Sequence, residues 1–492
     1  VIAHVHPAAA PLRGTIAPPP SKNYTTRYLI ASALAAGRST VLRPAVQDDA
    51  VALVECLRRM GARIEAQDRH GAPLDFAIGN AARIDRLVVD GFGAAPRLVG
   101  DGPLMPGNAG AVLRMLLGVS ALMPEVTWDT EHRDSLGKRP NRDLLDALAQ
   151  LGVECRGNGP DGRLPITLRG GPGRIRAHMA ARRRELALEP GEPFPVPVSA
   201  AVSSQFASAM LFLAPLLGEP VRLSVSGGLE ERSHIEATRR TLIAAGVPVE
   251  SSHDRRYHDV MPRAGYLPQR WQVNGDWPGT ASILSALAVV PGSEAALANL
   301  ADDEQGERTC LEWFAAAGCT AGAAPSTQPR TVRLAAPQQL RAACIDGDRC
   351  TDAVLALLAA AMVAEGESRF FNITNLQFKE CDRVREPIEE LRKVFATALA
   401  APDGTHAPPA DRALLWEPDD RPDTIRITGW PAGFRGGIEV DGRGDHRVIM
   451  MLSAVALRCR EGLRITGAEH VAKSFPGWFD TMRALGARVD LH

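Results

Sequence analysis

The sequence predicts an α/β or α+β protein of two domains built by sixfold internal repetition, and three observations predict it. The first is a recurring buried helix with a polar or glycine-bearing start, an apolar body and usually a Gly or Pro stop. Its copies are SKNYTTRYLIASALAAG from Ser21, GNAGAVLRMLLGVSALMP from Gly107, SSQFASAMLFLAPLLG from Ser203, PGTASILSALAVVPG from Pro278, TDAVLALLAAAMVAEG from Thr351 and GDHRVIMMLSAVALR from Gly444. A helix with so little polar surface must be buried. The second is an interleaved amphipathic helix that runs through a glycine turn into a β-branched strand. The third is length: 492 residues exceed one hydrophobic core, and three units per domain is the simplest division.

Taken in order, the first buried helix follows Pro18-Pro19-Pro20, which cannot join it, so Ser21 is its expected cap and Gly37 suits a left-handed turn beyond its end. The interleaved helices are LVECLRRMGARIE (53–65), LLDALAQLGVEC (144–155), RTLIAAGVPVE (240–250), LEWFAAAGCT (311–320) and TMRALGARVD (481–490). Gly61, Gly152, Gly246, Gly318 and Gly486 stand just past their ends; EELRKVFATA (389–398) fits the spacing without a glycine. Alternating runs such as RLVVDGF (86–92), PVRLSVSG (220–227) and TIRITGW (424–430) read as strands. GNGPDG (157–162) matches a dinucleotide fingerprint but opens no helix, so it reads as a hairpin turn. Stretches 174–197 and 400–423 read as surface insertions, the arginines of the first as a solvated face, and His4 with His6 as an isolated pair near a flexible terminus. The passage between domains is expected around residues 273–276.

Composition excludes several function classes. With 56 basic and 57 acidic residues, the chain offers no global field for nucleic acid or an anionic membrane. Its longest strongly apolar run, 353–364, falls short of the ~20 residues that cross a bilayer. No signal peptide opens it, so a cytoplasmic protein is expected, with eight reduced cysteines and idle glycosylation tripeptides at Asn23 and Asn372. No Walker loop or zinc-ligand spacing occurs.

The chemistry-bearing stretch is NLQFKECDR (375–383), where Lys379, Glu380, Asp382 and Arg383 crowd together after the strand-like SRFFNIT. Lys22, Arg27, Arg114, Arg139, Arg447 and Lys473 also fall at helix starts or in Gly/Pro-bounded loops. Solvated decoration has no reason to concentrate there. Eight cations so placed in a near-neutral chain suit a multiply anionic substrate set, and helix starts add N–H groups and partial positive charge. Asp352 and Glu380 are then the candidate acid–base carboxylates.

These residues make the chain resemble the 5-enolpyruvylshikimate-3-phosphate synthase family of enolpyruvyl transferases. The matches run in order over nearly the whole length: SKNYTTR, GNAG-x-x-x-R (107–114), K-R-P (138–140), SSQF (203–206), K-E-x-D-R (379–383), D-H-R (445–447) and AKSFP (472–476). The resemblance implies a two-domain inside-out α/β barrel, each domain three βαβαββ units, with the active site in the cleft between them. One domain would take 1–20 plus 275–492, the other 21–274. The implied reaction moves the enolpyruvyl group of phosphoenolpyruvate to the 5-hydroxyl of shikimate 3-phosphate and releases phosphate, with no metal or organic cofactor. It also implies a cytoplasmic monomer whose partners are these two small molecules.

The resemblance further implies that Lys22, Gly110, Arg139, Gln205, Arg383, Arg447 and Lys473 bind phosphoenolpyruvate. Lys22, Asn23, Arg27, Ser203, Ser204, Gln205, Asp352, Asn375 and Lys379 would bind shikimate 3-phosphate, with Arg27 on its carboxylate. Asp352, Glu380 and Lys22 would be catalytic. The chain departs from the family pattern at Asn23, Ala111, Met115 and Gly444, and most sharply in EERSH (230–234), where Glu231 replaces a phosphate-binding serine and His234 a tyrosine. A UDP-N-acetylglucosamine enolpyruvyl transferase is the alternative within the class, although no cysteine lies between Cys56 and Cys155 to match its loop cysteine. A non-catalytic binder of anionic metabolites is the alternative outside it, opposed by the Asp352 and Glu380 pair.

Overall fold

The six apolar stretches all form helices, and each is buried almost all round. In a computed structural model describing residues 1–227, 232–322, 330–417 and 420–492, they are Lys22–Ala33, Gly110–Ser120, Gln205–Leu213, Trp277–Ala288, Val354–Ala361 and His446–Ala456. Every residue of the fourth, fifth and sixth is buried. These three pack on one another, with Ser285 donating to the Ala356 carbonyl at 2.6 Å. The sheets lie outside the helices and alternate buried with exposed positions, as in Arg163–Arg169 and Val221–Ser226. Helices inside and half-buried sheets outside make this an inside-out α/β architecture.

The repetition is written in the strand pairing. Five of the six sheets show one parallel pairing followed by antiparallel ones, two in four of them and a third, to Pro73–Leu74, in the other. Arg270–Gln272 runs parallel to Arg38–Leu42, which is antiparallel to Arg86–Asp90, itself antiparallel to Arg63–Gln67. The order recurs in Phe194–Ser199, Val221–Ser226, Tyr257–Val260 and Val249–Ser251. It recurs again in Cys344–Asp346, Glu367–Phe371, Arg421–Thr428 and Leu414–Glu417. In the sheet of Glu125–Trp128, Arg163–Arg169 and Glu154–Asn158 the parallel pairing is reduced to a bridge from Leu104 to Trp128. Gly91, Gly170 and Gly429 follow equivalent strands, and a Cβ on any of them would meet a carbonyl at a buried helix's end within 2.3 Å. That close approach holds sheet to helix and admits no side chain.

The chain forms two compact units, Val1–Pro19 with Asn274–His492, and Pro20–Val273. Each has its own hydrophobic core. The first unit takes strands from both sides of the other: Arg13–Ile16 runs parallel to Glu294–Leu300, and Ile2–Val5 lies between Leu463–Thr466 and Val489–Leu491.

The interleaved helices form, and Gly61, Gly152, Gly246, Gly318 and Gly486 all take positive φ. GNGPDG turns between the antiparallel strands Glu154–Asn158 and Arg163–Arg169. Three expectations need correction. The first half of stretch 174–197 lies in a regular helix, Pro172–Glu185, with Pro172 at its first turn and Ile175 and Met179 buried beneath an arginine-rich face, and its end enters the strand Phe194–Ser199. Stretch 400–423 ends in ladder, through Leu414–Glu417 and Arg421–Thr428. His4 is not in a flexible tail: it sits in the ladder of Ile2–Val5, and His6 continues it through a backbone bond to Arg488.

Candidate active site

In the unit Pro20–Val273, three buried-helix starts present the expected groups. Lys22 is the first residue of its helix, with Nζ 3.3 Å from Asp49 Oδ2. Asn23 follows, and its carbonyl accepts from Arg27 Nη1 at 3.0 Å. Arg27 is buried, donating from Nε to Thr238 Oγ1 and from Nη2 to the His234 carbonyl. Burial pulls its pKa down to about 10. One hydrogen remains on each terminal nitrogen after these bonds.

Gly110 opens the second helix against Arg139: a Cβ there would lie 2.7 Å from Arg139 Nη1. Arg139 Nε and Nη2 are buried and have no hydrogen-bond partner among the described residues. Gln205 opens the third helix, its Oε1 accepting from Arg114 Nη1 at 3.2 Å and its amide donating to Ser203 Oγ at 3.3 Å. Ser204 beside it is buried. Arg114 also donates to Asn141 Oδ1 and the Pro140 carbonyl and stacks over Phe206 at 5.0 Å. Grouped by sequence with the clamping cations, it is a brace that fixes Gln205 and the loop after Arg139.

In the other unit, an aspartate stands at the start of each buried helix: Asp276, Asp352 and Asp445. Asp276 and Asp445 cap their helices, accepting from the amides of Gly279 and Arg447. Asp352 turns its carboxylate to Arg383 Nη1 at 3.1 Å and Arg447 Nη2 at 3.7 Å. Arg383 is the hub. It donates to Asp445 through Nε and Nη2, to Asp352 through Nη1, and to Glu380 Oε2 at 2.6 Å. Burial alone would lower its pKa, but Asp445, Glu380 and Asp352 outweigh burial and hold it well above the usual value.

Lys473 Nζ takes the other oxygen of Glu380 at 2.8 Å. Arg447 Nε and Nη1 are buried with no hydrogen-bond partner among the described residues. The structure thus brings Asp352, Glu380, Arg383, Arg447 and Lys473 into one cluster. Asn375 reaches it through Thr351 Oγ1 at 3.4 Å, and Lys379 is half-buried beside Glu380.

Glu307 escaped sequence reasoning. It lies in the 3₁₀ turn Gly306–Thr309, fully buried, with Oε1 accepting the Asp352 amide at 3.4 Å. Burial first, and the nearby Asp352 charge second, raise its pKa to about 7. A single glutamate in a polar loop gives no periodic signal, so only the packing reveals it. Asp49 escaped similarly, and Asp445 was visible only as part of D-H-R. Glu231 lies outside the described residues. Among those described, His4, His6 and Asp490 form the three-residue group spaced to hold a metal ion, apart from both sets above.

The chain is similar to known proteins over nearly its whole length. The family model for EPSP synthase (3-phosphoshikimate 1-carboxyvinyltransferase) matches residues 7–482. A 3-phosphoshikimate 1-carboxyvinyltransferase of Deinococcus radiodurans is 40% identical, the match covering 99% of this chain and 96% of that one. Another from Burkholderia pseudomallei is 30% identical, covering 97% and 93%. The solved EPSP synthase of Acinetobacter baumannii superposes with a TM-score of 0.72 at 20% identity over all of both chains. The enolpyruvyl transferase NikO from Streptomyces tendae gives 0.70 at 14% identity over 99% and 98%; both share the fold. No helix among the described residues is long and apolar enough to cross a membrane. With the sixfold fold, the ordered motifs and the full-length match together, the chain belongs to the EPSP synthase family of transferases.

Proposed function

We propose that this enzyme transfers the enolpyruvyl group of phosphoenolpyruvate to the 5-hydroxyl of shikimate 3-phosphate, releasing phosphate, through the residues described above. One observation carries the assignment of residues. Arg139 and Arg447 keep buried guanidinium nitrogens without hydrogen-bond partners among the described residues. Buried unpaired donors are costly, and a multiply anionic ligand satisfies them. Arg139, Lys22, Arg383, Arg447 and Lys473 hold the carboxylate and phosphate of phosphoenolpyruvate, and Gly110 keeps the space beside Arg139 open. Ser203, Ser204, Asn375 and Lys379 take the 3-phosphate of the acceptor, Arg27 its carboxylate, and Asn23 and Gln205 flank the ring.

The chemistry follows from the two carboxylates. Asp352 takes the proton of the 5-hydroxyl as its oxygen attacks C2 of phosphoenolpyruvate. Glu380 delivers a proton to the C3 methylene, giving a tetrahedral adduct. Glu380 then takes a proton back from the methyl as the C2–O bond to phosphate breaks, and the departing phosphate receives the proton that Asp352 took. Each Glu380 oxygen meets a cation here, Arg383 Nη2 at 2.6 Å and Lys473 Nζ at 2.8 Å. Incoming phosphoenolpyruvate competes for those cations, so substrate binding redraws the contacts of Glu380.

The enzyme acts as a monomer in the cytoplasm on this reading. The deciding assay follows phosphate release from phosphoenolpyruvate with shikimate 3-phosphate, shikimate or UDP-N-acetylglucosamine as acceptor. Turnover with shikimate 3-phosphate alone is expected; a better rate with either other acceptor overturns the substrate assignment.

A further inference from the structure

One face of the sheet built on Ile2–Val5 gathers ligating side chains that the reaction does not use. His4 and His6 lie two residues apart and project from the same side of the strand. Their ring centroids are 4.0 Å apart. Asp490, on Val489–Leu491, stands directly opposite His4 in the antiparallel ladder. Its Oδ2 is 2.7 Å from His6 Nε2. One nitrogen from each imidazole and one oxygen of Asp490 all lie within 4.8 Å of one another, on side chains that are half-buried and accessible.

A surface ion pair explains part of this group. Arg488 Nη2 approaches Asp490 Oδ2 at 3.5 Å, from a side chain 73% exposed. An Asp490–Arg488 pair gives no reason for a second imidazole held tilted against the first, and the ring of His4 has no hydrogen-bond partner among the described residues. Arg464, opposite His4 on the other side, is drawn to Glu439 at 3.3 Å.

We propose that His4, His6 and Asp490 bind a divalent late transition-metal ion, Zn²⁺ foremost, which clips the strands Ile2–Val5 and Val489–Leu491 together. Two imidazoles and a carboxylate favour Zn²⁺, Co²⁺ or Ni²⁺ over the oxygen-seeking Ca²⁺ and Mg²⁺. Metal–ligand distances of about 2.0–2.2 Å need the three donor atoms somewhat closer than they stand now. The ladder already fixes both backbones, so side-chain rotation suffices, with Arg488 swinging into solvent. Water completes the coordination. The ligands come from positions 484 residues apart, so the site exists only in the folded chain, and metal binding adds to folding stability.

The test uses untagged, chelator-stripped full-length protein without substrates. Calorimetry with ZnCl₂ is expected to show one site per chain with a Kd below about 10 µM, and saturating Zn²⁺ to raise the melting temperature. Co²⁺ is expected to give the visible absorption of a four- or five-coordinate nitrogen–oxygen site. His4→Ala and Asp490→Asn should each weaken Zn²⁺ binding at least tenfold. Cys344→Ser, which removes the exposed thiol, should leave binding unchanged. Wild-type protein that binds no Zn²⁺ at about 100 µM overturns the proposal whatever the variants do. So does binding that survives His4→Ala and Asp490→Asn, or that disappears in Cys344→Ser.

Discussion

Glu307 lies directly behind Asp352, its Oε1 accepting the Asp352 backbone amide at 3.4 Å while its Oε2 is buried with no hydrogen-bond partner among the described residues. Its pKa is raised from 4.5 to about 7. Below pH 4.5 the group is protonated folded or unfolded, and nothing is lost. As pH rises toward 7 the unfolded chain gives up this proton first, so folding stability falls; above 7 the penalty is constant at about 3 kcal/mol. Glu307→Gln is therefore expected to melt higher than the wild type at pH 8, with the gap closing by pH 4.5. A gap independent of pH would show that Glu307 does not hold a proton.

Glu380→Gln should lower kcat by at least ~10²-fold with little change in either KM, as loss of a proton-transfer group does. Steady-state kinetics on a variant with a native melting temperature decides it. Near-normal turnover would remove Glu380 from the mechanism.

Gly110→Ala places a methyl 2.7 Å from Arg139 Nη1. The flexible arginine shifts rather than the helix, so the fold survives and the anion contact weakens. KM for phosphoenolpyruvate is expected to rise about tenfold or more, a loss of roughly one charge-assisted hydrogen bond, with KM for shikimate 3-phosphate nearly unchanged.

Arg383→Gln tests the hub. It leaves Asp445, fully buried, without this arginine and removes one of the two cations that meet each of Asp352 and Glu380. Breaking one side of a buried ion network costs about 3–5 kcal/mol. Chemical denaturation should show a loss of that size together with lost activity. Arg383→Lys should recover only part of the stability, since a single ammonium cannot span three carboxylates.

Most of the architecture was legible because it is carried by patterns that repeat. The all-round apolar helices announce burial, and glycines such as Gly61 and Gly486 mark helix ends by a backbone conformation few other residues tolerate. The cations of the site were legible for a related reason: a charged residue such as Arg447 at the start of an apolar helix is out of place unless something meets it. What escaped depends on partners distant in sequence. Nothing near Arg114 in the chain foretells that Asn141, Pro140 and Gln205 absorb its donors. The helix at Pro172–Glu185 was hidden because its outward face is arginine-rich and only Ile175 and Met179 pack inward. Asp490 lies at the far end of the chain from His6, so spacing alone left that histidine without a role.

The strand Ile2–Val5 is central in its sheet, yet its neighbours Leu463–Thr466 and Val489–Leu491 are the last strands of the chain. During synthesis it must therefore wait, solvent-exposed and unpaired, until almost everything else has been made. The unit Pro20–Val273 draws all its strands from one continuous stretch and is able to fold in the meantime. Its completion brings Pro19 and Asn274 together, since Asp276 donates its amide to the Pro19 carbonyl, and so returns the waiting segment to where later strands emerge. The inserted unit then acts as a folded bridge that shortens the loop the last sheet has to close, a topological debt that a contiguous domain would never incur.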